Sequence, residues 1–321
     1  MAFRKMLCIC SVLFATVANG QYLIEQTEQE RIAMNDITVK TEWEHAVNDG
    51  KVSSKGKKMS ETLYDDDGRV IQKTSYRYNG SISSKVSYKY DDDGKVIEHL
   101  RFDGRKNQYT LKRYIDYDTR GRISKEHGIS GPNQEFKNIY KYNNRGDLSE
   151  IAYYTGDRLI ETRKIKYDHD GREILVYNPA GQLTKRIEKK TDNRGNVIEE
   201  IQYTASNQIK KRFVYKYDDR DNEILKEKYY SGNLTLRVTS RYDMDNNLVE
   251  VIHETRDQPT FTNNFYKYDT GGNLKEEKWY SASKNDYSSK KYTYNNSGNV
   301  IKANCYYAQF GSEYVYKYQY K

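Results

Sequence analysis

The segment Tyr64–Ile71, YDDDGRVI, returns almost unchanged as Tyr90–Ile97, YDDDGKVI. Three adjacent aspartates suggest a cation site, whereas a polar run ending in glycine describes a sharp turn. Recurrence decides between the two. Related stretches begin at Tyr117, Tyr142, Tyr167, Thr191, Tyr217, Tyr242, Tyr268 and Tyr294, and the glycine position runs through Gly68, Gly94, Gly121, Gly146, Gly171, Gly195, Asp221, Asn246, Gly272 and Gly298, at intervals of 24 to 27 residues. Asp221 and Asn246 belong to the few residue types that tolerate a positive φ, so the position is a turn residue. In other copies the middle positions hold Arg120, Arg145, Arg194 and Arg220, which would repel a cation. Asp65–Asp67, Asp91–Asp93 and Asp168 are therefore read as turn and surface residues, and no metal is expected.

A second, looser set of turns falls about halfway between the first, at Tyr78, Phe102, Tyr154, Tyr177, Tyr230 and Tyr307. Turns at this spacing leave room for strands of about seven to nine residues. The expected fold is all-β: tandem β-hairpin repeats of about 25 residues forming one long antiparallel meander sheet, curved or spiralling. Sequence leaves open whether the sheet closes into a barrel. Before the primary turns the pattern is Tyr-x-Tyr, at Tyr88 and Tyr90, Tyr140 and Tyr142, Tyr215 and Tyr217, Tyr266 and Tyr268, Tyr292 and Tyr294, and Tyr316 and Tyr318. Residues two apart in a strand share a face, so the rings form a ladder. The intervening residue is often lysine, as at Lys89, Lys141, Lys216, Lys267 and Lys317, which predicts one aromatic face and one charged face.

Composition agrees with this pattern. Leu, Ile, Val and Phe are scarce, but 33 tyrosines among 321 residues can supply apolar area while keeping their hydroxyls hydrogen-bonded. Residues 1–20 read as a cleavable signal peptide, with Arg4 and Lys5 ahead of an apolar run and cleavage expected after Gly20. Its loss would leave Cys305 as the sole cysteine, so no internal disulfide is expected. Residues 21–36 read as an N-terminal arm or cap, and 37–321 as a single repeat domain. The net charge of +8 is spread among alternating acids and bases rather than concentrated, which argues against a nucleic-acid partner.

The Y-D-x-x-G-[RKN]-[VIL] motif resembles the YD repeat of Rhs proteins, bacterial wall-associated proteins, teneurins and insecticidal toxin complexes, over roughly residues 60–321. The resemblance implies a bacterial, secreted protein whose β-sheet spirals, in some members closing into a shell around cargo. It also implies carbohydrate binding, cell-surface adhesion or delivery of a toxic C-terminal domain. Toxin delivery is not expected here, because the units are long and few and no further domain is expected after the last strand.

The candidate binding residues are the ladder tyrosines Tyr88, Tyr90, Tyr140, Tyr142, Tyr215, Tyr217, Tyr266, Tyr268, Tyr292 and Tyr294, with Trp43 and Trp279. Aromatic faces stack on sugar rings, but the same rings are needed to build a core, and the core role is the stronger expectation. The five histidines are scattered over different repeats without ligand spacing. No catalytic residue and no cofactor is expected. The sequence thus describes a secreted or periplasmic repeat protein that binds a polysaccharide or an envelope partner, or else a structural protein of the cell envelope without a small ligand.

Overall fold

The computed structural model describes residues 28–256, 258–281 and 284–321, side chains at 258–262 excepted. The expected signal peptide and the first part of the arm lie outside the described residues. Within them the chain forms one short helix, α1 (28–34), and 23 strands, β1 (Val39–Asn48) through β23 (Ser312–Tyr320). Each strand is antiparallel to its neighbour in sequence, except that β2 and β3 both run antiparallel to β1. β2 (Lys51–Val52) pairs only with β1, whereas the other twenty-two strands form a closed barrel. β1 closes it by pairing β3 (Lys57–Tyr64) on one side and β23 on the other, where Lys40–Ala46 run against Tyr314–Tyr320. The antiparallel meander is as the repeats suggested, and closure settles what they left open.

Nine of the ten primary turns share one geometry; the turn at Asp168 is a residue tighter, its N–H bonding to the Gly171 carbonyl at 3.1 Å, so Gly171 already lies in the returning strand with φ of 156° instead of at the left-handed turn position. The Asp65 carboxylate accepts from the backbone N–H groups of Asp67 and Arg69 at 3.1 and 2.8 Å, and the Gly68 N–H bonds back to the Asp65 carbonyl at 2.9 Å. Asp221 and Asn246 adopt φ of 65° and 69°, as their place in the repeat requires. Just before the turns the strand register slips, at Leu63/Tyr64, Lys89/Tyr90, Asp116/Tyr117, Lys216/Tyr217, Arg241/Tyr242, Lys267/Tyr268 and Thr293/Tyr294. A bulge bends its strand and adds local twist. Repeated at the same level of successive hairpins, it curls the sheet in one sense until the ends meet.

Neighbouring repeats also lock together at this rim. A Cβ on Gly94 would meet the Arg69 guanidinium at 2.7 Å, and one on Gly121 would meet the Lys95 ammonium, so each glycine makes a seat for the basic side chain of the previous repeat. Where that side chain shortens to Asn196 or Asn222, the next glycine position becomes Asp221 or Asn246, and the two side chains hydrogen-bond instead at 2.6 and 2.5 Å.

At the seam α1 supplies what no earlier repeat can. Ile32, the large side chain that is fully buried among the described residues, packs on Ile37, Tyr64, Val70 and Tyr320. Gln29 donates to the Asp67 carbonyl at 3.1 Å, and Arg31 donates to Asn273 at 3.3 Å and lies against Gly298. The Gly68 and Gly298 turns are four strand spacings apart, about 19 Å of sheet. Gln29 and Arg31, two residues apart on one helix turn, nevertheless reach both. The sheet therefore curves toward α1, and the tyrosine face on which Ile32 sits is the concave one. Twenty-two strands make a barrel roughly 45 Å across. Strands make their extensive contacts only with their neighbours in the sheet, so the layer is single and encloses a lumen.

Candidate binding face

The ladder tyrosines do line the concave face. In five of the pairs the second ring reaches over to the adjoining strand and donates its hydroxyl to a backbone carbonyl there: Tyr90 to Val70, Tyr142 to Ile123, Tyr217 to Val197, Tyr268 to Leu248 and Tyr294 to Leu274, at 2.7 to 3.0 Å. Burial pushes the phenols of Tyr217, Tyr268 and Tyr294 up to about 12. Basic groups cap several rings, with Arg69 over Tyr90 at 4.8 Å and Arg122 over Tyr142 at 4.1 Å. These residues fasten repeat to repeat.

The first rings of the pairs, and Tyr318, are used more variously. Tyr88 stacks on His99 at 4.8 Å, and burial, with Arg101 and Arg113 nearby, lowers the His99 pKa. Tyr215 stacks on Phe213. Tyr140 is 7% exposed and donates at 2.7 Å to Glu126, a buried carboxylate that also accepts from Asn138 and pairs with Arg113. Tyr292 donates to Glu277 at 2.6 Å; Tyr316 and Tyr318 donate to Glu44 and Glu42 across the closing seam. Ala303 and Cys305 lie opposite Tyr316 and Tyr314 and keep space for these rings. Burial raises the Cys305 thiol to about 11. The Asp65 and Asp91 carboxylates are taken up by backbone N–H groups of their own turns.

The two tryptophans part company. Trp43 pairs with Lys317 on the convex, charged face, and its indole N–H donates to Gln319 at 3.2 Å. Trp279 lies on the concave face. It is directly opposite Asn264, as Glu277 is opposite Tyr266, along β19 (Gln258–Tyr268) and β20 (Leu274–Ser281). The two rings thus occupy one diagonal and the amide and carboxylate the other. With Lys278 they line a notch of about 440 Å³, and Tyr307 packs edge-on against Trp279 at 6.0 Å. Asn264 and Glu277 escaped the sequence reading because only the register between β19 and β20 sets them beside the rings.

A larger concavity of about 930 Å³ lies at the seam, beneath α1. Glu28, Ile32, Lys73, Tyr64, Tyr88, and Tyr90 contribute to its walls. Tyr88 and Tyr90 are the candidate binding residues brought to it. Tyr140, Tyr142, Tyr215 and Tyr217 face neither cavity's lining.

Neither protein-family models nor curated proteins match the chain. Solved structures do. The TcdB2-TccC3-TEV crystal structure is 12% identical with a TM-score of 0.28, over 80% of this chain and 19% of that one. A porin-like protein from Bacteroides uniformis is 12% identical at a TM-score of 0.32, over 62% of this chain and 97% of that one. Another, from Bacteroides vulgatus, is 10% identical at 0.30, over 89% and 98%. Among the described residues no helix is long and apolar enough to cross a membrane.

Proposed function

We propose that this chain is a secreted or periplasmic, non-catalytic repeat protein of the YD type that holds a polysaccharide on its concave tyrosine face. The observation that carries the reading is the Trp279 notch. An indole and a phenol flank an amide and a carboxylate there, a combination that stacks on a pyranose ring and hydrogen-bonds its hydroxyls. The signal-like segment supports export, and the repeat motif supports the family. The convex face carries cross-strand ion pairs such as Lys89–Glu98, Lys141–Glu150 and Lys267–Glu276 where an outer-membrane barrel needs an apolar band, which favours water outside the barrel.

The rival reading is a structural protein of the envelope without a small ligand. It is favoured by the tyrosine hydroxyls already bound to the preceding repeat. A glycan array with the mature chain separates the two. In a Trp43→Phe background Trp279 is the one remaining tryptophan, and the binding reading expects a neutral glycan to change its fluorescence and Trp279→Ala to abolish capture. An array without a single binder supports the structural reading.

A further inference from the structure

The outer wall of the barrel differs between its two ends. In strands that run into a primary turn the next-to-last residue is repeatedly a cation, as at Lys89, Lys141, Lys190, Lys216, Arg241 and Lys267. In strands that run into a secondary turn the same position is repeatedly aromatic, as at Phe102, Tyr154, Tyr203, Tyr229, Tyr280 and Tyr306. Both sets lie on the convex face. Tyr154 is opposite Lys137, which shares a face with Lys141, and Tyr229 is opposite Arg212, which pairs with the same Glu199 as Lys190. The rings therefore stand at one height, just short of the secondary turns, and form an outward belt around that rim.

The belt is built from pairs. Lys137 lies over Tyr154 at 4.8 Å, Arg186 over Tyr203 at 3.9 Å and Arg212 over Tyr229 at 5.8 Å, while Phe102 and Tyr280 pack edge-on against Tyr109 and Tyr287 across their turns. A ring with a polar tip beside a long cationic side chain suits the headgroup layer of a membrane, which is apolar on one side and wet on the other. Beyond the belt this rim exposes apolar tips, with Phe310 69% and Ile209 50% exposed. Charge separates along the same axis. Asp65–Asp67, Asp91–Asp93, and Asp218, Asp219 and Asp221 crowd three primary turns that hold one cation each, Arg69, Lys95 and Arg220. At the secondary turns stand the exposed cations Lys55, Arg105, Lys106 and Lys284.

We propose that the barrel stands on an anionic lipid surface, with the secondary-turn rim in the headgroup layer and the acidic rim facing away. A ring of like side chains at one height fits a planar partner, and the opposite charge of the two rims sets which end meets it. The cross-strand ion pairs nearer the other rim keep the rest of the wall in water, so the rim rests in the surface and the barrel does not cross it. This placement does not depend on what the lumen holds.

The test sediments the mature chain with sucrose-loaded vesicles of phosphatidylcholine, made with or without phosphatidylglycerol. The chain is expected to travel with the phosphatidylglycerol vesicles, less so as salt rises, and to stay in solution with phosphatidylcholine alone. The triple variant Arg105→Gln, Lys106→Gln, Phe310→Ser should lose roughly tenfold or more in vesicle affinity at unchanged circular dichroism, whereas Asp66→Asn with Asp92→Asn on the opposite rim should lose nothing. Orientation is read with an environment-sensitive fluorophore on a Phe310→Cys or a Met244→Cys chain, because the native Cys305 is buried and Met244 is exposed in a primary turn. Vesicles should shift the emission of the Phe310→Cys probe to the blue and leave the Met244→Cys probe unchanged. A chain that ignores phosphatidylglycerol, binds both vesicle types alike, keeps its affinity in the triple variant or shifts the Met244→Cys probe overturns the proposal. So does a Phe310→Cys probe that shifts without vesicles, as copies stacked rim to rim would make it do.

Discussion

Tyr140 and Lys141 are neighbours in one strand, yet they live on opposite sides of a layer one residue thick. Tyr140 is 7% exposed and bound to a buried carboxylate, whereas Lys141 is 64% exposed and paired with Glu150 in water. The contrast repeats around the barrel and shows where stability resides. The concave face combines apolar area with hydrogen bonds that join one repeat to the last. The convex face contributes screened ion pairs and solubility.

The sharpest way to break the contrast is Tyr140→Ala. It removes a large buried ring beside Leu148 and Ile151 and one donor to Glu126, and should cost about 3–5 kcal/mol in chemical denaturation. A smaller loss is expected from Gly121→Ala. Its φ of +72° is strained for any side chain, and its Cβ would displace the Lys95 ammonium, for a loss of about 1–2 kcal/mol. Asn246, already a residue that fills the equivalent seat, should tolerate Asn246→Asp with far less change.

Removing a single hydroxyl comes next. Tyr217→Phe forfeits the bond to the Val197 carbonyl and should lower stability by about 1 kcal/mol. The same phenols predict an alkaline limit. A ring with a folded pKa of about 12 and an ordinary value of 10 contributes stability that is full below pH 10 and is lost as pH rises toward 12. Melting temperature should therefore fall steeply between those values, and a Tyr217→Phe chain should show a shallower fall. At the other extreme, Lys141→Ala should change stability by less than about 0.5 kcal/mol. A cost comparable to that of Tyr140→Ala would mean that the convex face is no mere solvated surface.

Most of the meander was legible because its signals are local. Glycine spacing marks the turns, and Tyr-x-Tyr marks which residues share a face. Asp221 and Asn246 disclose the left-handed position even without glycine. Closure was not legible, because it depends on β1 meeting β23 nearly three hundred residues away and on the summed bend of many bulges. Residues 28–34 read only as a cap, and nothing local says that Arg31 and Gln29 bridge the first and last repeats. On the candidate face, Tyr266 and Trp279 were visible as aromatic residues. Their polar neighbours Asn264 and Glu277 depend on cross-strand register.

Closure of the barrel, with the tyrosines turned inward, is the claim on which the rest depends, and small-angle X-ray scattering of the mature chain addresses it most directly. A closed ring of twenty-two strands predicts a hollow particle roughly 45 Å across, with a maximum dimension well short of the open sheet. An extended profile reaching about 100 Å, the width of the same strands laid side by side, would contradict it.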